Sequence, residues 1–435
     1  MKRKLATAFL FVLGTVITYP SHSGAIDMMK DPRLVQAEIP LFKAYPSLAQ
    51  SIPRVAILDA YTPLNPMSAF EGALHEAHGY PPPDAETGNR LWVKRDDRST
   101  HELGGNKARK LEFLVAEAIT AGKSSLVTSG RYGTNHGLAT ALAARAYGLN
   151  SRLILGPQPV TEDVKQKLLA LHAAGATLDY HGTLLGMGWD LLGETLEAWL
   201  APNDDEYYIP PGGSSPTGGI GYVNAFFELV EQVKAKGIPF PDEIIVPAGT
   251  GGTATGLLVG ACLSGQWTKT KIVAVGVVSP LFLNGFTLRR QAKKLYRRLL
   301  SKMSAEDRAR VPDACHFHTS KKAFDYISGY HGPGYGAAPA PVFETIALVR
   351  EKEHFEIERT YTGKALQYAV DRIHAGLTAE KIAGHSIRPD ASSIPRMLFW
   401  NTYNSHDLQP LIDAHAWQDA AQPWLDLPEK FWPLF

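Results

Sequence analysis

The stretch Leu103-Gly-Gly-Asn-Lys-Ala-Arg-Lys-Leu-Glu-Phe113 sets a glycine pair and a lysine directly ahead of a helical pattern. Leu111, Leu114, Val115, Ala118 and Ile119 recur with the 3.6-residue period of an amphipathic helix. Gly104 and Gly105 open backbone geometries closed to other residues and let a ligand come near the chain. Lys107 therefore stands at a loop-to-helix junction. An amine there becomes a Schiff-base nucleophile when it is partly desolvated or lies near other cations. Lys94, Arg95, Arg109 and Lys110 are the cations nearby in sequence. The same residues also read as an ordinary helix start, with Asn106 as cap and Lys107 solvated in the first turn. The stretch alone leaves both readings open.

Outward from it, short apolar runs alternate with helical patterns. Leu91-Trp-Val-Lys94 reads as a strand, Ser124 to Ser129 as the next, then Arg152 to Gly156 and Thr177 to Tyr180. Helices are expected over 162–173 and 187–199. Gly130-Arg-Tyr-Gly133 ends the second strand, and Thr134 or Asn135 can cap the helix that follows. A strand, a turn and a helix N-terminus is where open α/β sheets place ligands. Residues 108–222 thus form one compact, mainly parallel α/β unit. Pro211-Gly-Gly-Ser-Ser-Pro-Thr-Gly-Gly-Ile-Gly-Tyr222 closes it and reads as an ordered loop, with a helix from Tyr222 to Val233.

A second unit follows. Glu243 to Ala248 is an apolar strand, Gly249-Thr-Gly-Gly-Thr253 a turn, and Ala254 to Leu263 an apolar helix. Successive N–H groups at such a turn make a nest for phosphate oxygens, to which Thr250 and Thr253 add hydroxyls. The Gly-Lys-Ser/Thr ending of a Walker loop is missing. Lys271 to Val278 and Arg396 to Trp400 are further strands. The basic run from Leu288 to Lys302 reads as a solvated helix face. Trp417, Trp424 and Trp432 lie in a proline-rich tail that is expected to pack over the body.

The chain has 435 residues, 45% hydrophobic and 20% charged, enough for two domains with large cores. Its formal net charge of +1 gives nucleic acid no basic partner surface. Residues 26–88, rich in Pro and Gly, read as an extended arm around the body. Met1-Lys-Arg-Lys4, an apolar run from Leu5 to Tyr19 and Ser23-Gly-Ala25 have the three parts of a secretory signal peptide. A soluble mature chain outside the cytoplasm is the expectation, periplasmic in a Gram-negative source, with no stable membrane insertion after cleavage. Cys262 and Cys315 are the two cysteines. One disulfide between them is open in that compartment, but Cys262, in an apolar helix, reads as a buried small hydrophobe. No metal is expected. His75-Glu-Ala-His78 misses the zinc-helix spacing by one residue, and nothing in the spacing of Cys315, His316, His318 and His331 requires an ion.

These motifs carry a family likeness. Lys94-Arg-Asp-Asp97, Gly104-Gly-Asn-Lys-Ala-Arg-Lys-Leu-Glu112, Thr134-Asn-His136, Gly249-Thr-Gly-Gly-Thr253, Gly334-Tyr-Gly336 and Tyr361-Thr-Gly-Lys364 stand in order over residues 61–403. The chain resembles pyridoxal-phosphate (PLP) enzymes of the tryptophan synthase β fold, fold type II. It is most similar to the 1-aminocyclopropane-1-carboxylate deaminase and D-cysteine desulfhydrase group. The resemblance implies two three-layer α/β/α domains with the cofactor in the cleft between them. The large one would comprise 26–107 and 223–435, the small one 108–222, and the assembly would be a homodimer. Lys107 would carry PLP as a Schiff base and move the Cα proton. Asn135 would bond the phenolic oxygen of the cofactor. Gly249, Thr250, Gly251, Gly252 and Thr253 would hold its phosphate, and Thr362 would stand near the pyridine nitrogen. Thr134, Asn135, His136, Tyr335 and Tyr361 would face a small amino-acid substrate, with Thr134, Tyr335 and Tyr361 also in the chemistry.

The implied reaction is α,β-elimination, D-cysteine being the first candidate. A cyclopropane deaminase, a racemase, a β-replacement enzyme and an exported non-catalytic binding protein stay open. Four features depart from the family pattern: threonine for serine at 134, Gly130-Arg-Tyr-Gly133 for Gly-Gly-Ile-Gln, a basic insert over 285–325, and the wrapped ends of the chain. Arg131 could engage a second carboxylate.

Overall fold

The computed structural model describes residues 31–35, 38–83, 88–100, 105–183, 186, 205–312, 322–332, 334, 336–382 and 394–435. The expected leader, the 187–199 helix, Tyr335, Cys315, His316 and His318 lie outside the described residues.

Ten strands form two sheets: β1 (Leu64–Pro66), β2 (Leu91–Arg95), β3 (Ser125–Arg131), β4 (Asn150–Gly156), β5 (Thr177–Tyr180), β6 (Glu206–Ile209), β7 (Glu243–Ala248), β8 (Lys271–Gly276), β9 (Phe324–Ile327) and β10 (Met397–Asn401). The larger sheet runs β1-β2-β10-β7-β8-β9 and the smaller β5-β4-β3-β6. Every pairing is parallel except β1 with β2 at an edge. Strands β7 and β10 are buried at every residue. Their alternate side chains serve two different cores, as strand geometry requires. Ile244, Val246, Leu398 and Trp400 pack with the helices Pro216–Lys236 and Gly252–Leu263. Ile245, Met397 and Phe399 pack with the helix Thr362–Ile382. Helices on both faces explain why these strands read as unbroken apolar runs.

Three expectations are corrected. The Pro211–Tyr222 stretch is not all loop: Ser215 caps a helix that starts at Pro216 and continues to Lys236. Its glycines allow close packing. A Cβ on Gly221 would stand 1.9 Å from the Arg109 carbonyl oxygen, and one on Gly256 2.3 Å from Tyr222 Cβ. Next, the arm is not simply extended. It holds the helices Pro40–Ala44, Ser47–Ser51 and Ser68–Ala77, because Leu41, Leu48 and Phe70 are fully buried. Last, Cys262 is buried but is not a lone thiol; it is disulfide-bonded. The tail packs over the body as expected, on the smaller sheet through Ile412, Leu427 and Phe431.

A buried polar network fixes the lysine loop. Arg109 donates to Asp96 Oδ1 at 2.9 Å and to Glu228 Oε2 at 2.8 Å. Lys94 donates to the other oxygen of Glu228. Tyr222 and the Trp400 indole donate to Asp96 Oδ2 at 2.5 and 2.6 Å. The Asp96 carbonyl then accepts the Gly105 N–H at 2.7 Å. Gly105 has φ +86° and lies against Thr402 to Asn404, where a Cβ would meet the Thr402 oxygen at 2.9 Å. Overpacking of this kind costs about 1–3 kcal/mol. Gly221→Ala, the tightest of these contacts, is expected to lower the denaturant-unfolding free energy by at least about 2–3 kcal/mol. An unchanged midpoint would show that the helices can part without loss.

Candidate active site

A cavity of about 840 Å³ opens at the carboxyl ends of β3, β7 and β10. Its lining includes Lys107, Thr134, Asn135, His136, every residue from Gly249 to Thr253, Tyr361 and Thr362. Segments more than 200 residues apart in sequence thus meet at one place. Tyr335 lies outside the described residues, though Gly336 and Ala337 line the wall.

Lys107 opens the helix Lys107–Thr120. The amine donates to Asn106 Oδ1 at 2.5 Å, and the Asn106 amide donates to Thr253 Oγ1 at 2.9 Å. One side chain therefore joins the lysine to the glycine turn. Asn106 makes no side-chain cap bond, which settles against the plain helix-start reading. Across the cavity, Thr134 caps the helix Asn135–Ala146, its hydroxyl accepting the Gly137 N–H at 3.1 Å. Room for its extra methyl comes from Gly137, where a Cβ would stand 2.4 Å from Thr134 Cγ2. Arg131 lines the cavity and donates to the Pro157 carbonyl.

Thr362 is fully buried at the start of its helix. Its hydroxyl accepts the Glu358 N–H at 2.9 Å and lies 3.2 Å from Glu358 Oε1. Glu358 also accepts the N–H groups of Tyr361 and Thr362 at 2.8 and 2.9 Å. Tyr361 packs beside Gly249, where a Cβ would stand 2.9 Å from the ring.

Sequence reasoning missed four lining or supporting residues: Asn106 as a linker, Lys110, Ser214 and Glu358. Lys110 had a signal, since it follows Lys107 by three residues and so shares a helix face with it. It is buried, donates to the Gly212 carbonyl at 3.0 Å, and would lie 3.1 Å from a Cβ on Gly252. Ser214 Oγ accepts the Gly252 N–H at 3.1 Å and pairs with Thr250 Oγ1 at 2.6 Å.

The charges are one-sided. Burial drives Lys110 well below its ordinary range, and Lys107 adds to the push. Burial, then Lys107 and Lys110, hold His136 well below the ordinary imidazole range. Neither His136 ring nitrogen has a hydrogen-bond partner, although both are buried; the Pro210 backbone, which pulls its pKa slightly upward, is not at bonding geometry. Lys107 is half-buried and lines the cavity. Two lysines, an orphaned imidazole and a turn with no Cβ at Gly249, Gly251 or Gly252 fit a compact polyanion with a carbonyl carbon at Lys107. Pyridoxal phosphate has that form.

Fold and cavity together define a fold type II pyridoxal-phosphate enzyme. Residues 70–384 match the family model described as pyridoxal-phosphate dependent enzyme, and the chain belongs to that family. It is 30% identical over 303 residues to a putative 1-aminocyclopropane-1-carboxylate deaminase of Pyrococcus abyssi, covering 68% of this chain and 83% of the relative. Identity is also 30% over 306 residues to a bifunctional D-cysteine desulfhydrase/1-aminocyclopropane-1-carboxylate deaminase of Arabidopsis thaliana, mitochondrial, over 68% of this chain and 70% of that one. Among solved structures, a 1-aminocyclopropane-1-carboxylate deaminase homologue superposes with TM-score 0.62 at 25% identity, over 85% of this chain and 99% of its own.

Burial lowers the Lys107 pKa from its ordinary 10.5 to about 8, against the upward pull of Glu358. Below about pH 8 the amine is charged in folded and unfolded chains alike, and its burial cost stands in full. Between pH 8 and 10.5 the unfolded chain keeps a proton that the folded chain has released, so stability rises with pH. In the cofactor-free protein, Lys107→Met is expected to lessen that rise. Denaturant midpoints at about pH 7.5 and pH 10 for both proteins measure it; an identical rise would mean the amine is normally solvated.

Proposed function

We propose that the enzyme performs α,β-elimination on a small amino acid, with D-cysteine the first candidate. Cysteine and water then give pyruvate, ammonia and hydrogen sulfide. The observation that carries this reading is the Asn106 link between the Lys107 amine and Thr253. Lys107 would hold the cofactor aldehyde, and the 249–253 turn, Ser214 and Lys110 would hold its phosphate. When bound, the cofactor supplies the electron sink for charge developing at Cα.

The residues of the chain do the rest. Lys107, with its pKa lowered toward neutrality, takes the Cα proton. Asn135, which lines the cavity, would hold the phenolic oxygen of the cofactor, and the N-terminus of its helix would receive the substrate carboxylate. Neutral His136 and the Tyr361 ring shape the substrate side, where Thr134 keeps its hydroxyl while capping. Thr362, tied to Glu358, would offer a neutral partner to the ring nitrogen of the cofactor. Such a partner holds a proton there less firmly than a carboxylate and so suits an easy elimination better than ring opening. Relatives named D-cysteine desulfhydrase support the substrate choice. The family resemblance supports a small unit at 108–222, a large unit of 26–107 and 223–435, and a homodimer, which light scattering would measure; the two sheets sort into those units, while the helix Pro216–Lys236 crosses their boundary and the tail packs on the small one.

Purified protein is expected to show a visible absorption band that borohydride fixes on the Lys107 peptide. D-Cysteine should yield sulfide and pyruvate, and Lys107→Ala should cut that rate by at least about 10³-fold. A band that persists in Lys107→Ala, or no product from either cysteine enantiomer, would overturn the assignment.

Export is a second part of the proposal. Its support is the leader pattern of Met1–Ala25 and the disulfide at Cys262, a bond that persists in oxidising compartments. No helix among the described residues is long and apolar enough to cross a membrane. Osmotic-shock fractionation of a Gram-negative host is expected to release a chain beginning at Ile26. Recovery of the unprocessed chain in the cytoplasm would refute export.

A further inference from the structure

Away from the cavity, the tail meets the helix Glu162–Ala173 at a group of side chains that the proposed reaction does not use. His172 lies in the last turn of that helix. His415 follows the short helix Gln409–Asp413, and Asp426 ends the turn Pro423–Asp426. One donor atom from each falls within 4.8 Å of the other two, and all three residues are half-buried. The imidazole rings are 5.3 Å apart and nearly perpendicular, at 83°. Trp417 stacks on His172 at 5.6 Å and packs edge-on to His415 at 4.5 Å. Its own indole N–H is taken by the Ile412 carbonyl at 2.8 Å, so it walls the group without competing for it.

Asp426 supplies a separate sign of a missing partner. Its Oδ2 accepts the Gln418 N–H at 2.9 Å. Its Oδ1 is buried and has no hydrogen-bond partner. A buried carboxylate oxygen left unpaired is costly, and a cation removes the cost.

We propose that His172, His415 and Asp426 bind one late first-row divalent metal ion, with zinc(II) as the expected occupant. Two imidazoles and one carboxylate are a donor set such ions take, with bonds of about 2.0–2.2 Å. A tetrahedron with those bonds has edges of about 3.4 Å. The present spacing closes to it by side-chain movements of about an ångström. Water would take the fourth position. The ion would fasten the tail to a helix whose first turns carry Asp163, Val164 and Lys167 into the cavity wall. Metal there would therefore brace one side of the active site without touching the reacting atoms.

The test uses the untagged full chain, loaded with cofactor and stripped of metal by chelation. Equilibrium dialysis against zinc(II) is expected to give one ion per chain, and cobalt(II) in its place should show the visible bands of a tetrahedral site. His172→Gln, His415→Gln and Asp426→Asn should each weaken zinc binding at least about tenfold. Asparagine at 426 can still accept the Gln418 N–H, and the cofactor band reports that each variant is folded. No bound zinc, or binding unchanged in all three folded variants, would overturn the proposal.

Discussion

Asp96 is the point on which the lysine loop rests. Its carboxylate takes donors from Arg109, Tyr222 and Trp400, and its carbonyl takes the Gly105 N–H. Those donors come from two helices and the middle of the larger sheet. Desolvation pushes the Asp96 carboxyl up, but Arg109, Lys94 and Tyr222 outweigh it and keep the group ionised. Lys94 is drawn down to about 8 by burial, while Glu228 pulls it back. Such a network need not add net stability, since apolar side chains could fill the same space. It does fix one arrangement, because loss of any one charged member strands a buried charge at about 3–5 kcal/mol. The position of Lys107 is a consequence.

The cavity inverts that logic. Around Asp96 the charges are matched; around Lys107 they are not. Burial lowers Lys107, Lys110 and His136 alike, Lys107 further lowers Lys110, and both lysines lower His136; the carboxylate that pulls Lys107 back up, Glu358, is occupied by backbone N–H groups. A site of this kind is poised for an anion. The negative charge of a bound phosphate and of a substrate carboxylate supplies what the protein leaves out, and perturbed groups of this sort mark functional places.

Glycine carries two meanings in this chain, and sequence alone did not separate them. At 249–252 the missing Cβ clears space beside Tyr361, Ser214 and Lys110. At 218–221 it lets the helix Pro216–Lys236 press onto the backbone at Arg109. Both stretches look like loops in one dimension. Only the second is mostly helix, since Ser215 and Pro216 start it and the glycine cost is offset by close packing of buried helices.

Local chemistry made much of this protein legible from its residues. Period and turn signals place β3, β4, β7 and β8, the lysine at a helix start and the glycine turn after β7, since each depends on neighbours in the chain. The ordered motifs carry the family, and with it the cofactor. What folding in three dimensions decided is which distant side chains meet. The Asn106 bridge to Thr253, the place of Lys110 behind Gly252 and the tail packing on the smaller sheet all join segments that no local period relates. Those contacts are set by how two sheets and their helices bury apolar surface together, and a one-dimensional pattern carries no record of that.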